Sequence, residues 1–85
     1  MKSYIYILQS ELDGSYYVGY TKKIEERVRE HNEGSTRYSS KKRPWKLVHR
    51  EEFADDTEAR QRELAIKRKK SRKYIEWLIA QNRIG

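Results

Sequence analysis

The sequence predicts an α+β fold with elements in the order β-β-α-β-α-α, and three observations carry that prediction. Two runs rich in aromatic and β-branched residues, SYIYIL at 3–8 and SYYVGY at 15–20, flank an Asp13-Gly14 turn. Apolar residues at helical spacing, bracketed by capping residues, recur over 22–33, 56–69 and 72–82. Between the first two of these segments, KLVHREEF at 46–53 returns to strand-like composition.

Residues 3–8 read as a strand because Tyr and Ile fit a pleated, half-buried surface. The stretch ELDGS supplies a turn in which Gly14 tolerates φ > 0, so 15–20 becomes the return strand of an antiparallel hairpin. Alternation puts Tyr16, Val18 and Tyr20 on one face and Tyr17 and Gly19 on the other, leaving Tyr17 above a residue with no side chain. Thr21 is the expected cap of the first helix and Gly34 its end. Ile24, Arg27, Val28 and His31 fall at i, i+3, i+4 and i+7, so a cation and an imidazole share the inward stripe. GSTRYSSKKRPW, at 34–45, is a polar loop with four basic residues, long enough to suggest contact with a substrate. Asp55 and Glu58 resemble a capping box opening the next helix, whose thin apolar stripe carries Glu63 between Ala59 and Ile66. Ser71 is the expected cap of the last helix, where Ile75, Leu78 and Ile79 repeat with helical period beside Tyr74 and Trp77.

At 85 residues the expectation is one domain over 1–85, small enough that roughly 60–65% of the unfolded chain's surface can be buried. Hydrophobic residues make up 35% and charged residues 39%, so a small core rests on few side chains. The absence of cysteine excludes disulfides, thiolate metal sites and thiol nucleophiles, leaving oxygen and nitrogen chemistry. YIYIL, the one apolar run near the start, is too short for a signal peptide or a membrane span, and a soluble, cytoplasmic protein is expected. The net charge of +7 is concentrated: RQRELAIKRKKSRK, at 60–73, holds eight basic residues and one acid, and elsewhere twelve of each cancel. Such a stripe suits a polyanion such as nucleic acid; taken alone it fits a solvated helix face equally well. A membrane surface fits poorly, because the segment lacks a bulky apolar face with Trp or Phe.

Each unusual residue also has a structural reading. Strand tyrosines commonly pack with a bonded hydroxyl, an inward Arg can snorkel, and a lone His on an apolar face is more often a satisfied core residue than a catalyst. What sets them apart is that they fall on the inner faces of consecutive elements, beside the basic segment.

The motifs YIY at 4–6, YVG at 17–19, Arg27-x-x-x-His31-Asn32 and AxxxExxIK at 59–67 together resemble the GIY-YIG nuclease superfamily, which includes homing endonucleases and the N-terminal nuclease domain of the excision-repair protein UvrC. The resemblance covers nearly the whole chain and is closest to short bacterial members consisting of this domain alone. Tyr4 departs from the glycine that names the first motif, a change at a backbone position. The resemblance implies the family's fold, a small three-stranded, mostly antiparallel sheet flanked by helices. It also implies hydrolysis of nucleic-acid phosphodiester bonds through one divalent cation, Mg²⁺ or Mn²⁺, held by Glu63 as the sole protein ligand. Tyr6 and Tyr17 match the two motif tyrosines, Arg27 the helix arginine, and His31 the position that partners the second tyrosine. Tyr17 is the candidate general base, because positive charge from Arg27 and the metal would favour its phenolate, while His31 orients its hydroxyl or accepts its proton. Arg27 would stabilise phosphate charge from a desolvated position, and Tyr6 would position water or phosphate. Asn32 reads as a helix-end cap, and His49 as structural or exposed.

Arg37, Lys41, Lys42, Arg43, Lys67, Lys69 and Lys70 are candidates for backbone contacts that position nucleic acid without reading its sequence, with Lys67, inside the Glu63 motif, foremost. Three functions stay open: a structure-selective or weakly specific endonuclease, acting on DNA before RNA; a nucleic-acid-binding module, with little catalysis of its own, within a repair or processing complex; and a protein-interaction domain whose basic stripe meets an acidic partner. The chain leaves no room for a separate DNA-reading domain, so a protein partner is the expected source of specificity.

Overall fold

The aromatic and β-branched runs form strands in the computed structural model, which describes residues 1–34 and 37–81 apart from the side chains of Arg37 and Tyr38. β1 (Ser3–Ser10) and β2 (Tyr16–Thr21) pair antiparallel, with Tyr6 opposite Gly19 and Leu8 opposite Tyr17. β3 (Trp45–Phe53) pairs antiparallel with the other side of β1, giving the sheet order β2-β1-β3. The helices are α1 (Ile24–Asn32), a single turn α2 (Arg37–Ser40), α3 (Asp56–Lys69) and α4 (Arg72–Gln81). The order β-β-α-β-α-α and the antiparallel three-stranded sheet are as expected; α2 is an addition within the segment read as loop.

Two turns show the expected glycine use. Gly14 (φ +78°) closes the hairpin, where the Ser10 N–H donates to the Ser15 carbonyl at 2.8 Å. Gly34 (φ +80°) stops α1, its N–H donating to the His31 carbonyl at 3.2 Å. The start of α1 differs: Thr21 Oγ1 accepts from the Lys23 N–H at 3.1 Å, forming a turn before the helix, and the residue at the cap, Lys23, makes no side-chain cap bond. The other two caps stand, Asp55 Oδ1 accepting from Glu58 N–H at 2.9 Å and Ser71 Oγ from Tyr74 N–H at 3.1 Å. α3 ends sharply at Lys70, which adopts a left-handed conformation (φ 47°, ψ 39°) and turns the chain into α4.

The sheet separates two cores. Ile5, Ile7 and Val18 meet Ala59 and Ile66 of α3 and Leu78 of α4 on one face. Tyr6, Leu8 and Trp45 cluster on the other, with Tyr17, Val28 and Leu47 packed against them. A bulge between Ile7 and Leu8 allocates β3: Ile7 pairs with His49 but Leu8 with Leu47, so the extra residue switches the alternation midway. Trp45 and Leu47 therefore serve the Tyr6 face, and His49 and Glu51 the α3 face.

There His49, buried, bonds Glu51 Oε2 at 2.7 Å. Glu51 also accepts from Arg62 Nε and Nη2 at 2.8 and 3.2 Å, and Arg62 Nη1 reaches the Tyr74 hydroxyl at 3.4 Å. His49 is thus structural, tying β3 to α3 and α4. Breaking a largely buried pair strands its partners, so Glu51→Ala should cost about 3 kcal/mol in urea unfolding. The bond to His49, and then Arg62, holds the Glu51 carboxyl at about 2, below its ordinary 4.5. The unfolded chain consequently takes the proton first as pH falls, and stability contributed by Glu51 above pH 4.5 is lost as pH drops toward 2. In Glu51→Ala this acid transition should flatten.

Candidate functional site

The site is built around the crossing of β1 and β2. Because Tyr6 lies opposite Gly19, its ring passes over the place where any other residue would carry a Cβ. Such a Cβ would sit 2.5 Å from the Tyr6 hydroxyl and 2.7 Å from Cζ. The open space at Gly19, expected to serve Tyr17, is occupied by Tyr6. This crossing carries the Tyr6 hydroxyl to His31 Nε2 at 3.2 Å, in the interior. His31 was expected to bond Tyr17; its hydrogen bond goes to Tyr6, whose hydroxyl reaches the imidazole across the glycine. Tyr17 meets His31 through its ring instead, at a centroid separation of 4.6 Å, and lies 6.3 Å from the Tyr6 ring.

Burial, followed by the neighbouring Tyr17, Glu63 and Glu30, pushes the Tyr6 phenol well above the ordinary phenol range against the opposing pull of Arg27. Burial and then Arg27 depress the His31 imidazole below its ordinary 6.5, with Glu30 opposing. Tyr6 therefore stays protonated and His31 neutral near pH 7, and their contact is a hydrogen bond between uncharged groups.

Beside this pair opens a cleft of about 550 Å³, lined by Tyr6, Tyr17 and Gly19 from the sheet, Arg27 and Glu30 from α1, and Glu63 from α3. Glu63 sits on the α3 stripe between the buried Ala59 and Ile66, its side chain 12% exposed and Lys67 Nζ 3.7 Å from its carboxylate. Arg27 was expected to be desolvated on the inward stripe. The core side of α1 is instead Ile24, Val28 and His31, and Arg27 flanks it, its side chain 44% exposed and 3.3 Å from Glu30. The structure thus brings Tyr6, Tyr17, Arg27 and Glu63 to one cleft, with His31 buried behind them.

Among the described residues no group of three or more His, Asp or Glu is arranged to hold a metal. Among the described residues Glu63 is the one carboxylate of the cleft set between core residues; Lys67 Nζ lies 3.7 Å from it, two phenols and no imidazole line the same cleft, and such a carboxylate suits a hard cation that takes one protein ligand and fills its remaining positions with water and phosphate. The donor set therefore fits Mg²⁺ or Mn²⁺ better than a softer metal.

The predicted basic contacts divide. Lys67 and Lys70 line a groove beside the cleft, and Lys69 Nζ lies 5.2 Å from the centre of the Tyr74 ring. Lys42 is engaged by Asp13 at 2.6 Å, locking the hairpin turn to the segment before β3. Arg43 is likewise engaged, its Nε donating to the Ser40 carbonyl at 3.0 Å and Nη1 to the Asn32 carbonyl at 3.5 Å. Lys41 is exposed, and the Arg37 side chain lies outside the described residues. Asn32 does more than end a helix: its side chain brackets the Trp45 backbone, donating to the carbonyl at 3.1 Å and accepting from the N–H at 2.5 Å. Sequence reasoning missed Lys22, Lys23, Glu30 and Asp56, all at the cleft. The signal available was position: Lys22 and Lys23 follow the YVG motif directly, and Glu30 is one turn from Arg27.

Comparison with known proteins identifies the family to which the chain belongs. A family model described as the GIY-YIG catalytic domain matches residues 2–75. A UPF0213 protein of Streptococcus pneumoniae is 40% identical over 78 residues, covering 91% of this chain and 78% of its own. One from Staphylococcus saprophyticus is 46% identical over 67 residues, covering 78% of this chain and 80% of its own. The solution NMR structure of a UPF0213 protein from Bacillus halodurans superimposes with a TM-score of 0.61 at 34% identity, over 96% of this chain and 86% of that one. No described helix is long and apolar enough to cross a membrane.

Proposed function

Because the chain belongs to the GIY-YIG family, we propose that residues 1–85 form one endonuclease domain that hydrolyses nucleic-acid phosphodiester bonds, DNA before RNA, in the Tyr6–Glu63 cleft. The observation that supports this most is the convergence of two phenols, a guanidinium and a largely buried carboxylate, from four different elements, on one cleft.

Phosphodiester hydrolysis requires an attacking water relieved of its proton, and neutralisation of the charge that develops on the phosphate. Glu63 would hold a single Mg²⁺ or Mn²⁺ by its carboxylate. Such a cation supplies Lewis-acid neutralisation of phosphate charge. Arg27, on the cleft wall, exchanges its exposed partner Glu30 for a phosphate oxygen. Tyr6, held protonated and anchored by His31, orients the water or the phosphate through its hydroxyl. Tyr17, once its own hydroxyl proton has passed to solvent, takes the proton from the attacking water as the phenolate. On this reading intrinsic sequence specificity is low, because the contacts the cleft offers are to phosphate, and such contacts position nucleic acid without reading its sequence.

The test is incubation with labelled single-stranded, duplex, nicked and branched DNA, and with RNA, in Mg²⁺ and Mn²⁺, beside Glu63→Ala and Tyr17→Phe. The wild type should cleave and both variants should fail. Cleavage that survives both substitutions overturns the mechanism, whereas salt-sensitive binding without cleavage identifies a nucleic-acid-binding module.

A further inference from the structure

The catalytic cleft is poorly suited to attract a polyanion by itself, since its charged walls nearly cancel: Lys22, Lys23 and Arg27 stand against Glu26, Glu30, Asp56 and Glu63. The attraction lies next door. A second groove, of about 400 Å³, runs between β2 and the α3–α4 corner, and Tyr17 lines both depressions. Three cations line this groove, Lys67, Lys70 and Arg72, together with the Ser15 and Ser71 hydroxyls, and no acid is among its lining residues.

The left-handed turn at Lys70 brings the end of α3 and the start of α4 to the same groove. Arg72 stacks its guanidinium over the Tyr16 ring at 4.7 Å and is steadied by Glu76 at 3.3 Å. At the junction, Lys67 lines the groove while its ammonium lies 3.7 Å from Glu63. Cationic side chains and hydroxyls on a groove walled by aromatic rings are what a nucleic-acid backbone requires.

Resting on the reading of the cleft as a nuclease site, we propose that this groove binds the phosphates flanking the scissile bond on one side. The cleaved strand then runs along β2 toward the α3–α4 corner, with Lys67, Lys70 and Arg72 as its phosphate contacts. The loop cations Lys42 and Arg43 are not among the residues that line this groove.

The test is anisotropy of a labelled oligonucleotide, single-stranded and duplex, across a salt series, with intact wild-type protein and two charge-matched double variants. K67Q/R72Q removes groove cations; R60Q/R68Q removes the same charge from exposed α3 positions outside it, and melting temperatures check that both fold. K67Q/R72Q should weaken binding by at least about tenfold and lower the slope of log K against log salt by about 1.4 on single strands and about 1.8 on duplex. R60Q/R68Q should change affinity less than about twofold. Equal losses in the two variants overturn the groove, and so does a wild type that binds no nucleic acid at low salt. Wild-type cleavage with equal losses leaves the active site standing and removes the groove; groove-dependent binding without cleavage under any metal does the reverse.

Discussion

Glu63→Gln will slow phosphodiester cleavage by about a hundred- to a thousandfold while leaving the melting temperature unchanged or slightly raised. The substitution keeps the shape of the side chain between Ala59 and Ile66, so the core that α3 forms with Ile5, Ile7 and Val18 stays filled. What it removes is one negative charge with a side chain only 12% exposed. The lost attraction to Lys67, an i,i+4 pair at 3.7 Å with Lys67 half exposed, is worth about 0.3–0.5 kcal/mol, and relief from burying the charge offsets it. Stability and activity should therefore separate. Single-turnover cleavage in Mg²⁺ and in Mn²⁺, beside thermal unfolding of the same samples, measures both. Activity within a few-fold of wild type at either metal would remove Glu63 from the chemistry.

Alternation along β2 was enough to assign Tyr17 and Gly19 to one face and Val18 to the other, because a period of two needs no knowledge of neighbouring strands. Which ring uses the space at Gly19 depends on cross-strand register, and register is a property of two strands. Tyr6 opposite Gly19 cannot be read from SYYVGY alone. The same limit applies to α1: a helical stripe of Ile24, Arg27, Val28 and His31 names a side of the helix some 100° wide, and the structure divides it into a core line and a flank that carries Arg27 to the cleft. The inward placement of Glu63 was legible because helical spacing sets it on the stripe between Ala59 and Ile66, and its side chain is 12% exposed at the cleft. The pairings of Lys42 and Arg43 were not legible, since their partners, Asp13 and the ends of α1 and α2, are remote in sequence or lie on backbone carbonyls. The β3 bulge left no trace in KLVHREEF, where unbroken alternation would have put His49 on the Leu47 face.

Gly19→Ala is the substitution expected to damage fold and chemistry together. The backbone at Gly19 has no need of glycine's extra freedom; the constraint is the Tyr6 ring, with an added Cβ 2.5 Å from its oxygen, 2.7 Å from Cζ and 3.0 Å from Cε1. The ring has nowhere to go. It is 3% exposed, packs with Leu8 and Trp45, and is bonded to His31. Overpacking of this kind costs about 1–3 kcal/mol, which in a chain of this size lowers the melting temperature by about 4–8 °C per kcal/mol. Displacing the Tyr6 hydroxyl by an ångström, in a site where positioning supplies much of the rate, should cost about a hundredfold in cleavage. A double-mutant cycle isolates the cause. In a Tyr6→Ala background, where the obstructing ring is gone, Gly19→Ala should cost less than about 0.5 kcal/mol, so the two substitutions couple by about the full overpacking penalty. An undiminished cost of Gly19→Ala in that background would place the strain in the β2 backbone and detach Gly19 from the positioning of Tyr6.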